Sequence, residues 1–301
     1  MNYNLIKDYQ DIANRTLIIY GCARSGTSIL GNIVGSMQKA EYLFESPSLT
    51  ALFAEIDNMP KRTAKNLFEM LVIEDFLLYS LSGRNMNMRR ADDSSIFKTK
   101  PEDEINRRLS LDNLKRDISI KDYFVVAKIV SFCNHIKKIQ ETFELSFPIY
   151  IYRNPENVIF SIKKKEWFTD RSISSGVLDW PNNFDFEIPI PHWVPSEYFS
   201  EWSEMSEVDR IGLYYITQTS LELNHIKNLY VINYDDFLEN TNDIIDNLVL
   251  NFELKPTKLT DNLCKQVRAQ KSSSSIDLGK IREEFREKIV ENYNKLESFK
   301  S

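Results

Sequence analysis

Cysteine is scarce. The three present in 301 residues, Cys22, Cys133 and Cys264, are odd in number, widely scattered and without metal-ligand spacing. That excludes a disulfide scaffold and points to a reducing compartment. Long hydrophobic runs are missing as well: no window approaches the roughly 18 apolar residues that a membrane-spanning helix needs. The opening segment, MNYNLIKDYQDIANR, is polar and has no apolar core of signal-peptide type. A cytoplasmic protein without membrane insertion is the expectation. There is no excess of basic charge either. With 38 Lys and Arg against 44 Asp and Glu, a net charge of −6, the chain makes no global field for nucleic acid or an anionic membrane, so any polyanion site has to be local. No internal repeat is visible.

What is present centres on Thr16 to Met37, TLIIYGCARSGTSILGNIVGSM. Thr16 to Tyr20 is rich in β-branched and aromatic residues and predicts a short buried strand ending at Gly21. Ile29, Leu30, Ile33, Val34 and Met37 have helical spacing and predict a helix starting near Gly26. The small residues between, Gly21 to Gly26, leave backbone N–H groups bare at a helix N-terminus, which is an anion cradle. A turn with no ligand is the competing reading. The two glycines have the spacing of G-x-x-x-x-G-K-[ST], yet Thr27 stands where a nucleoside-triphosphatase carries its lysine. The positive charge is Arg24, inside the loop. Cys22 lies close to the helix start, where a thiol can be reactive; a small buried residue is the expected role.

Further along, Tyr42, Leu43 and Phe44 predict a second strand, closed by Glu45-Ser46-Pro47. Glu45 is thereby set at a strand end, on the edge that holds the anion loop. A solvated carboxylate at a helix start is the alternative. Residues from about 49 to 116 read as a helical insertion, clearest over Lys61 to Leu81 with Leu67, Met70, Leu71, Leu77, Leu78 and Leu81 as its apolar stripe. Arg84, Arg89 and Arg90 form a basic cluster beside it, read as a solvated face. A central strand over Asp122 to Lys128 ends in Lys128, and a helix follows near Asn134 to Phe143. The next strand ends in Arg153, and Asn154-Pro155 opens a helix that carries Ser161. Residues from about 166 to 206 carry all four tryptophans, Trp167, Trp180, Trp193 and Trp202, and read as a substrate-binding loop or lid, or as an aromatic-stapled surface loop. His192 in this loop reads as structural. A helix over Asp209 to Ile226, a strand over Leu229 to Asn233, a helix over Asp243 to Phe252 and a charged helix from Ile281 to Phe299 complete the chain.

The run A-R-S-G-T-S after a strand resembles the 5′-phosphosulfate loop, P-[KR]-S-G-T-[TS], of sulfotransferases that use 3′-phosphoadenosine 5′-phosphosulfate (PAPS). Arg153 to Ser161, RNPENVIFS, resembles the same family's R-[DN]-P-x-[DN]-V-x-x-S, and Tyr234-Asp235-Asp236-Phe237 resembles its Y-E-D-L element. The resemblance spans about Thr16 to Phe252. It implies a single α/β domain over 1–301 with a three-layer P-loop-like fold, a central parallel sheet flanked by helices. It also implies PAPS as co-substrate, with no metal. Gly26, Thr27 and Ser28 would hold the 5′-phosphate with Ser25 supporting the turn, Arg153 and Ser161 the 3′-phosphate, and Arg24 and Lys128 would neutralise the leaving group. Lys271, Ser272 and Lys280 are candidates to cover the adenosine, although the R-K-G-x-x-G motif of the cytosolic branch is absent. That branch also has K-T-H after its central strand, where this chain reads Lys128-Ile129-Val130. Valine cannot take a proton, so Glu45 is left as the general base, at about the separation from Arg24 that the glycan and tyrosylprotein branches show. The acceptor would be a hydroxyl or amine of a small molecule or glycan. Two other classes remain: a P-loop kinase, disfavoured by Thr27 and by the lack of a magnesium-binding acidic strand end, and a non-catalytic nucleotide-binding protein that would keep Arg153 and Ser161.

Overall fold

Five short strands, β1 (Leu17–Tyr20), β2 (Ala40–Phe44), β3 (Phe124–Ile129), β4 (Pro148–Tyr152) and β5 (Tyr230–Asn233), join in one sheet of order β2-β3-β1-β4-β5. Every pairing in it is parallel. The structure is a computed structural model describing residues 3–111, 119–145, 147–175, 182–183, 185–267 and 275–299. Parallel neighbours cannot be joined by tight hairpins, so each crossover must carry a longer connection, and here helices supply it.

The strands are apolar at both parities because both faces of the sheet are covered. Leu17, Ile19, Val126, Ile149, Ile151 and Ile232 pack in one cluster with residues of helices Thr27–Gly35, Thr241–Phe252 and Lys258–Val267. On the other face Ile18, Tyr20, Val125, Ala127, Tyr150, Tyr152 and Val231 pack with helices Pro47–Ala54, Lys61–Glu69 and Ile136–Phe143. The result is a three-layer α/β fold. A third cluster joins helices Pro155–Lys163, Glu207–Thr219 and Glu283–Glu297 to Trp193 and Trp202.

Register sets where the chemistry can gather. Tyr20 of β1 lies opposite Ile129 and Tyr150, Phe44 opposite Lys128, and Tyr152 opposite Asn233. The residues that follow these strands, including Gly21, Glu45, Arg153 and Tyr234, therefore leave along one edge. Strand β1 has β3 on one side and β4 on the other, so the winding reverses there, and the loop after β1 opens into the crevice at that reversal.

The insertion departs from the expected helix. After Lys61–Glu69 the chain widens into a π-helix, Met70–Leu77, before a last α-turn at Leu78–Leu81. The buried face runs through Ala64 and Phe68 of the α-helix and continues into Val72, Ile73, Phe76 and Leu77 of the wider turn. Leu67 and Met70, expected inside, are instead 43% and 51% exposed.

Two tryptophans of the aromatic segment, Trp193 and Trp202, are core. Trp193 and Trp202 meet edge to face at 5.8 Å, and the buried Arg210 guanidinium donates to the carbonyl oxygens of Trp202, Phe168 and Ser203. Trp180 lies outside the described residues. Among the described residues no helix is long and apolar enough to cross a membrane.

Candidate active site

The loop after β1 turns through two left-handed residues, Arg24 at φ 71° and Gly26 at φ 94°. Gly26 then caps helix Thr27–Gly35 without any side-chain bond, so the first-turn amides of that helix have no side-chain cap. No larger residue fits at this turn: a Cβ on Gly26 would lie 2.2 Å from Cδ2 of Tyr234. The Ala23 amide donates to the Tyr214 hydroxyl at 3.2 Å, tying the loop to helix Glu207–Thr219. Positive φ recurs just past two neighbouring strands, at Glu45 (39°) after β2 and Ser131 (71°) after β3. Non-glycine residues held there carry backbone strain, and such residues cluster at functional sites.

These strand ends enclose a cleft of about 410 Å³. Arg24, Gly26, Thr27, Ser28, Glu45, Lys128 and Arg153 all line it. Lys128, almost fully buried, reaches up from β3, donates to the Ser28 hydroxyl at 2.9 Å and forms an ion pair with the Glu45 carboxylate. Its ammonium also sits 4.3 Å from the centroid of the Phe44 ring. Burial pushes the Lys128 ammonium below the usual lysine range, against the opposing pull of Glu45 and Asp93. Glu45 itself stays open, with its side chain 39% exposed.

Arg153 holds the other end. It is 8% exposed, its guanidinium carbon lies 4.7 Å from the centre of the Tyr234 ring, and one Nη donates to the Arg24 carbonyl at 3.4 Å. Its Nε is buried without a hydrogen-bond partner. An unsatisfied cationic donor facing a basic cleft is what an absent anion would leave behind. Asn154 caps the next helix, its side-chain oxygen accepting from the amides of Glu156 and Asn157. That helix carries Ser161, whose hydroxyl accepts a 3.0 Å hydrogen bond from Arg24 Nε.

The structure thus brings together Arg24, Gly26, Thr27, Ser28, Glu45, Lys128, Arg153 and, through Arg24, Ser161. It does not bring the rest. Ser25 is fully buried with its hydroxyl unpartnered, so the turn is supported by its backbone, which donates to the Cys22 carbonyl at 3.1 Å. Lys280 is exposed on the turn Leu278–Lys280 and does not line the cleft. Lys271 and Ser272 lie outside the described residues. Cys22 is buried, and burial pushes its thiol up, the opposite of a reactive thiolate. His192 stacks on Phe132 at 4.5 Å, its Nε2 lies 3.2 Å from the Ser131 carbonyl, and it does not line the cleft.

Several cleft residues escaped the sequence reading. Asp93 comes from the loop before Ile96–Lys98 and is held by Lys98 at 2.8 Å. That bond to Lys98, helped by Lys128 and Arg24, keeps its carboxyl below the usual range despite partial burial. Lys165 and Trp167 follow helix Pro155–Lys163. Nothing in the local sequence marks Asp93 or Lys165. Tyr234 was legible by position, since it follows β5 as Arg153 follows β4. Among the described residues no group of three His, Cys, Asp or Glu side chains is placed to hold a metal. A larger cavity, about 650 Å³, opens at the opposite ends of the strands between Arg15, Phe124 and Phe252, away from all of these groups.

No family model and no curated protein matches the chain. Among solved structures it is similar to sulfotransferase STF1 from Mycobacterium tuberculosis H37Rv, at 12% identity and a TM-score of 0.47 over 96% of this chain and 80% of that one. It is similar to sulfotransferase STF9 from Mycobacterium avium, at 12% identity and 0.45 over 97% and 80%. The sulfotransferase domain of the curacin biosynthetic pathway gives 12% and 0.43 over 82% and 76%. Likeness at this level leaves the geometry of the cleft to carry any statement about chemistry.

Proposed function

We propose that the protein transfers the sulfuryl group of PAPS to a hydroxyl or amine of a polar small molecule or glycan. One observation carries the reading: the two segments with phosphate-loop chemistry, 129 residues apart in sequence at Arg24 and Arg153, are joined by the Arg153–Arg24 hydrogen bond across a single cleft that also holds a lysine–glutamate pair.

The chain's own groups divide the work. The amides and hydroxyls at Gly26, Thr27 and Ser28 suit a 5′-phosphate at the helix N-terminus. Arg153, with its unpartnered Nε, suits a second phosphate. Ser161 orients Arg24 by accepting from its Nε. Lys128, bonded to Ser28 beside the proposed 5′-phosphate cradle, suits the charge that builds on the departing phosphate oxygen and would stabilise the leaving group. Glu45 takes the proton of the acceptor hydroxyl as the new oxygen–sulfur bond forms and the bond between sulfur and the 5′-phosphate oxygen breaks. The products are a sulfate ester and 3′-phosphoadenosine 5′-phosphate. As in phosphoryl transfer, most of the protein's contribution is positioning and charge neutralisation. Thr27, 2% exposed, occupies the place a P-loop kinase gives to lysine, which is why a kinase is the weaker reading.

Calorimetry with 3′-phosphoadenosine 5′-phosphate in the presence of chelator tests the assignment. Tight metal-free binding is expected, and Arg153→Ala should weaken it about ten- to a hundredfold, the loss of a charge-assisted contact. Selectivity over adenosine 5′-phosphate should collapse in the same variant. A variant that still discriminates the two nucleotides as the wild type does removes Arg153 from the 3′-phosphate.

A further inference from the structure

We infer that Glu297 is a positioning residue for the Arg153 end of the cleft, acting as a clamp across the ends of β4 and β5. The inference rests on the proposed nucleotide reading for its ligand, and on the following contacts for its geometry. Glu297 closes helix Glu283–Glu297, and one oxygen of its carboxylate accepts from the Tyr152 hydroxyl at 2.9 Å and from the Asn233 side-chain amide at 2.5 Å. Tyr152 and Asn233 are register partners and the last residues of their strands. The next residues are Arg153 and Tyr234, whose guanidinium and ring pack against each other.

The Asn233 amide passes the constraint onward. Its nitrogen donates to Glu297 while its oxygen accepts from the Asp235 and Asp236 amides at 2.8 and 3.2 Å, capping the turn Tyr234–Glu239. A carboxylate can only accept, so Glu297 fixes which way the amide faces and keeps the oxygen on the cap. Without it the amide nitrogen loses its acceptor and the cap rests on the two backbone bonds alone, so the turn loosens and the Tyr234 ring under Arg153 is held less firmly. The helix carrying Glu297 is itself anchored. Lys295 donates to the Leu221 carbonyl at 2.8 Å and Asn292 to the Ser220 hydroxyl at 3.0 Å, just past helix Glu207–Thr219, whose Tyr215 donates to the Arg153 carbonyl at 3.0 Å. Both strand ends and the backbone of Arg153 are thus held from one helix pair, and Glu297 itself touches the strand-end side of it.

Calorimetry with 3′-phosphoadenosine 5′-phosphate and with adenosine 5′-phosphate, together with amide hydrogen exchange, decides it. Glu297→Ala should weaken the bisphosphate about tenfold and leave the monophosphate within about twofold, because only the Arg153 contact is mispositioned. Glu297→Gln keeps an oxygen that can accept both bonds and should restore binding to within about threefold. Exchange at the Asp235 and Asp236 amides should rise in the alanine variant and not in the glutamine variant. Equal loss of both nucleotides, unchanged bisphosphate affinity, or a glutamine variant as damaged as the alanine one would each overturn the clamp. If Glu297→Ala does not fold, Asn233→Asp keeps a capping oxygen but sets a carboxylate against Glu297; it should show the same selective loss, and wild-type selectivity in it overturns the inference. Should the wild type show no preference for the bisphosphate, the functional reading falls, and unchanged exchange at Asp235 and Asp236 in Glu297→Ala would sink the clamp separately.

Discussion

Two glutamates at opposite ends of one strand have opposite fates. Glu41, near the start of β2, is 1% exposed and saturated: Arg108 grips both its oxygens at 2.6 and 3.0 Å, Ser80 donates at 2.7 Å, and Lys100 stands 3.6 Å away. Glu45, just past the strand's end, is 39% exposed and keeps an open side towards the cleft beyond its pairing with Lys128. Burial pushes the Glu41 carboxyl up, but Lys100 and Arg108 more than offset it and hold the group below the usual carboxylate range. A carboxylate whose lone pairs are all engaged is locked in its charged state and holds an edge strand to the helices over it. One that faces solvent with a lysine beside it can exchange a proton with a ligand. Only Tyr42, Leu43 and Phe44 separate structure from chemistry.

The largest expected effect falls on the open member. Glu45→Gln should lower turnover on the order of 10² to 10⁴-fold, the usual share of a general base, while nucleotide affinity stays near wild type. A radiolabelled PAPS transfer assay beside calorimetry reads both, and near wild-type turnover would remove Glu45 as the base. Stability should show the reverse order. Glu41→Gln leaves Lys100 buried without its counter-charge and Arg108 with Glu104 alone, and should cost about 3–5 kcal/mol in urea denaturation, with Glu45→Gln costing less than about half of that. The two carboxylates have the same role if the costs are equal.

The pH dependence sharpens the same contrast. The folded carboxyl of Glu41 lies below its unfolded value, so its contribution to stability is fully present above the unfolded range and is lost as pH falls through the lower, folded value. Lys128 answers at the other end of the scale. Burial lowers its ammonium, so donor kcat/KM should decline as pH rises through a value below that of an exposed lysine. Removing Glu45, which pulls the ammonium back up, should move that alkaline limb lower still. A limb that stays in place in Glu45→Gln would mean the group that titrates is not Lys128.

Much of the site was legible because it sits where strands end. A strand of β-branched residues followed by small residues and a helix predicts an anion cradle from local physics alone, and Arg24, Lys128, Arg153 and Glu45 each stand at or just past such an end. Glu41 was not legible in this way: a charge inside Ala40–Phe44 reads as a surface residue of an edge strand, and only Arg108 and Lys100, from a helix and a turn far along the chain, turn it inward. The insertion failed for a related reason. Periodicity gives a helix's spacing but not its phase: the buried face runs through Ala64 and Phe68 of the α-helical part and on to Val72, Ile73, Phe76 and Leu77 of the π-turn, which leaves Leu67 and Met70 outside.

By itself the sequence determined the order of strands and helices, the apolar character of both sheet faces and the residues at the carboxyl ends of the strands, since each follows from local spacing, turn chemistry and side-chain type. The tertiary structure alone decided which of those ends lie side by side. It placed β3 between β2 and β1, and with it Lys128 against both Ser28 and Glu45. It also brought in Asp93 and Lys165, buried the Ser25 hydroxyl and kept Lys280 away from the cleft. Strand order and loop approach are set by packing between segments distant in sequence, and no local pattern carries that information.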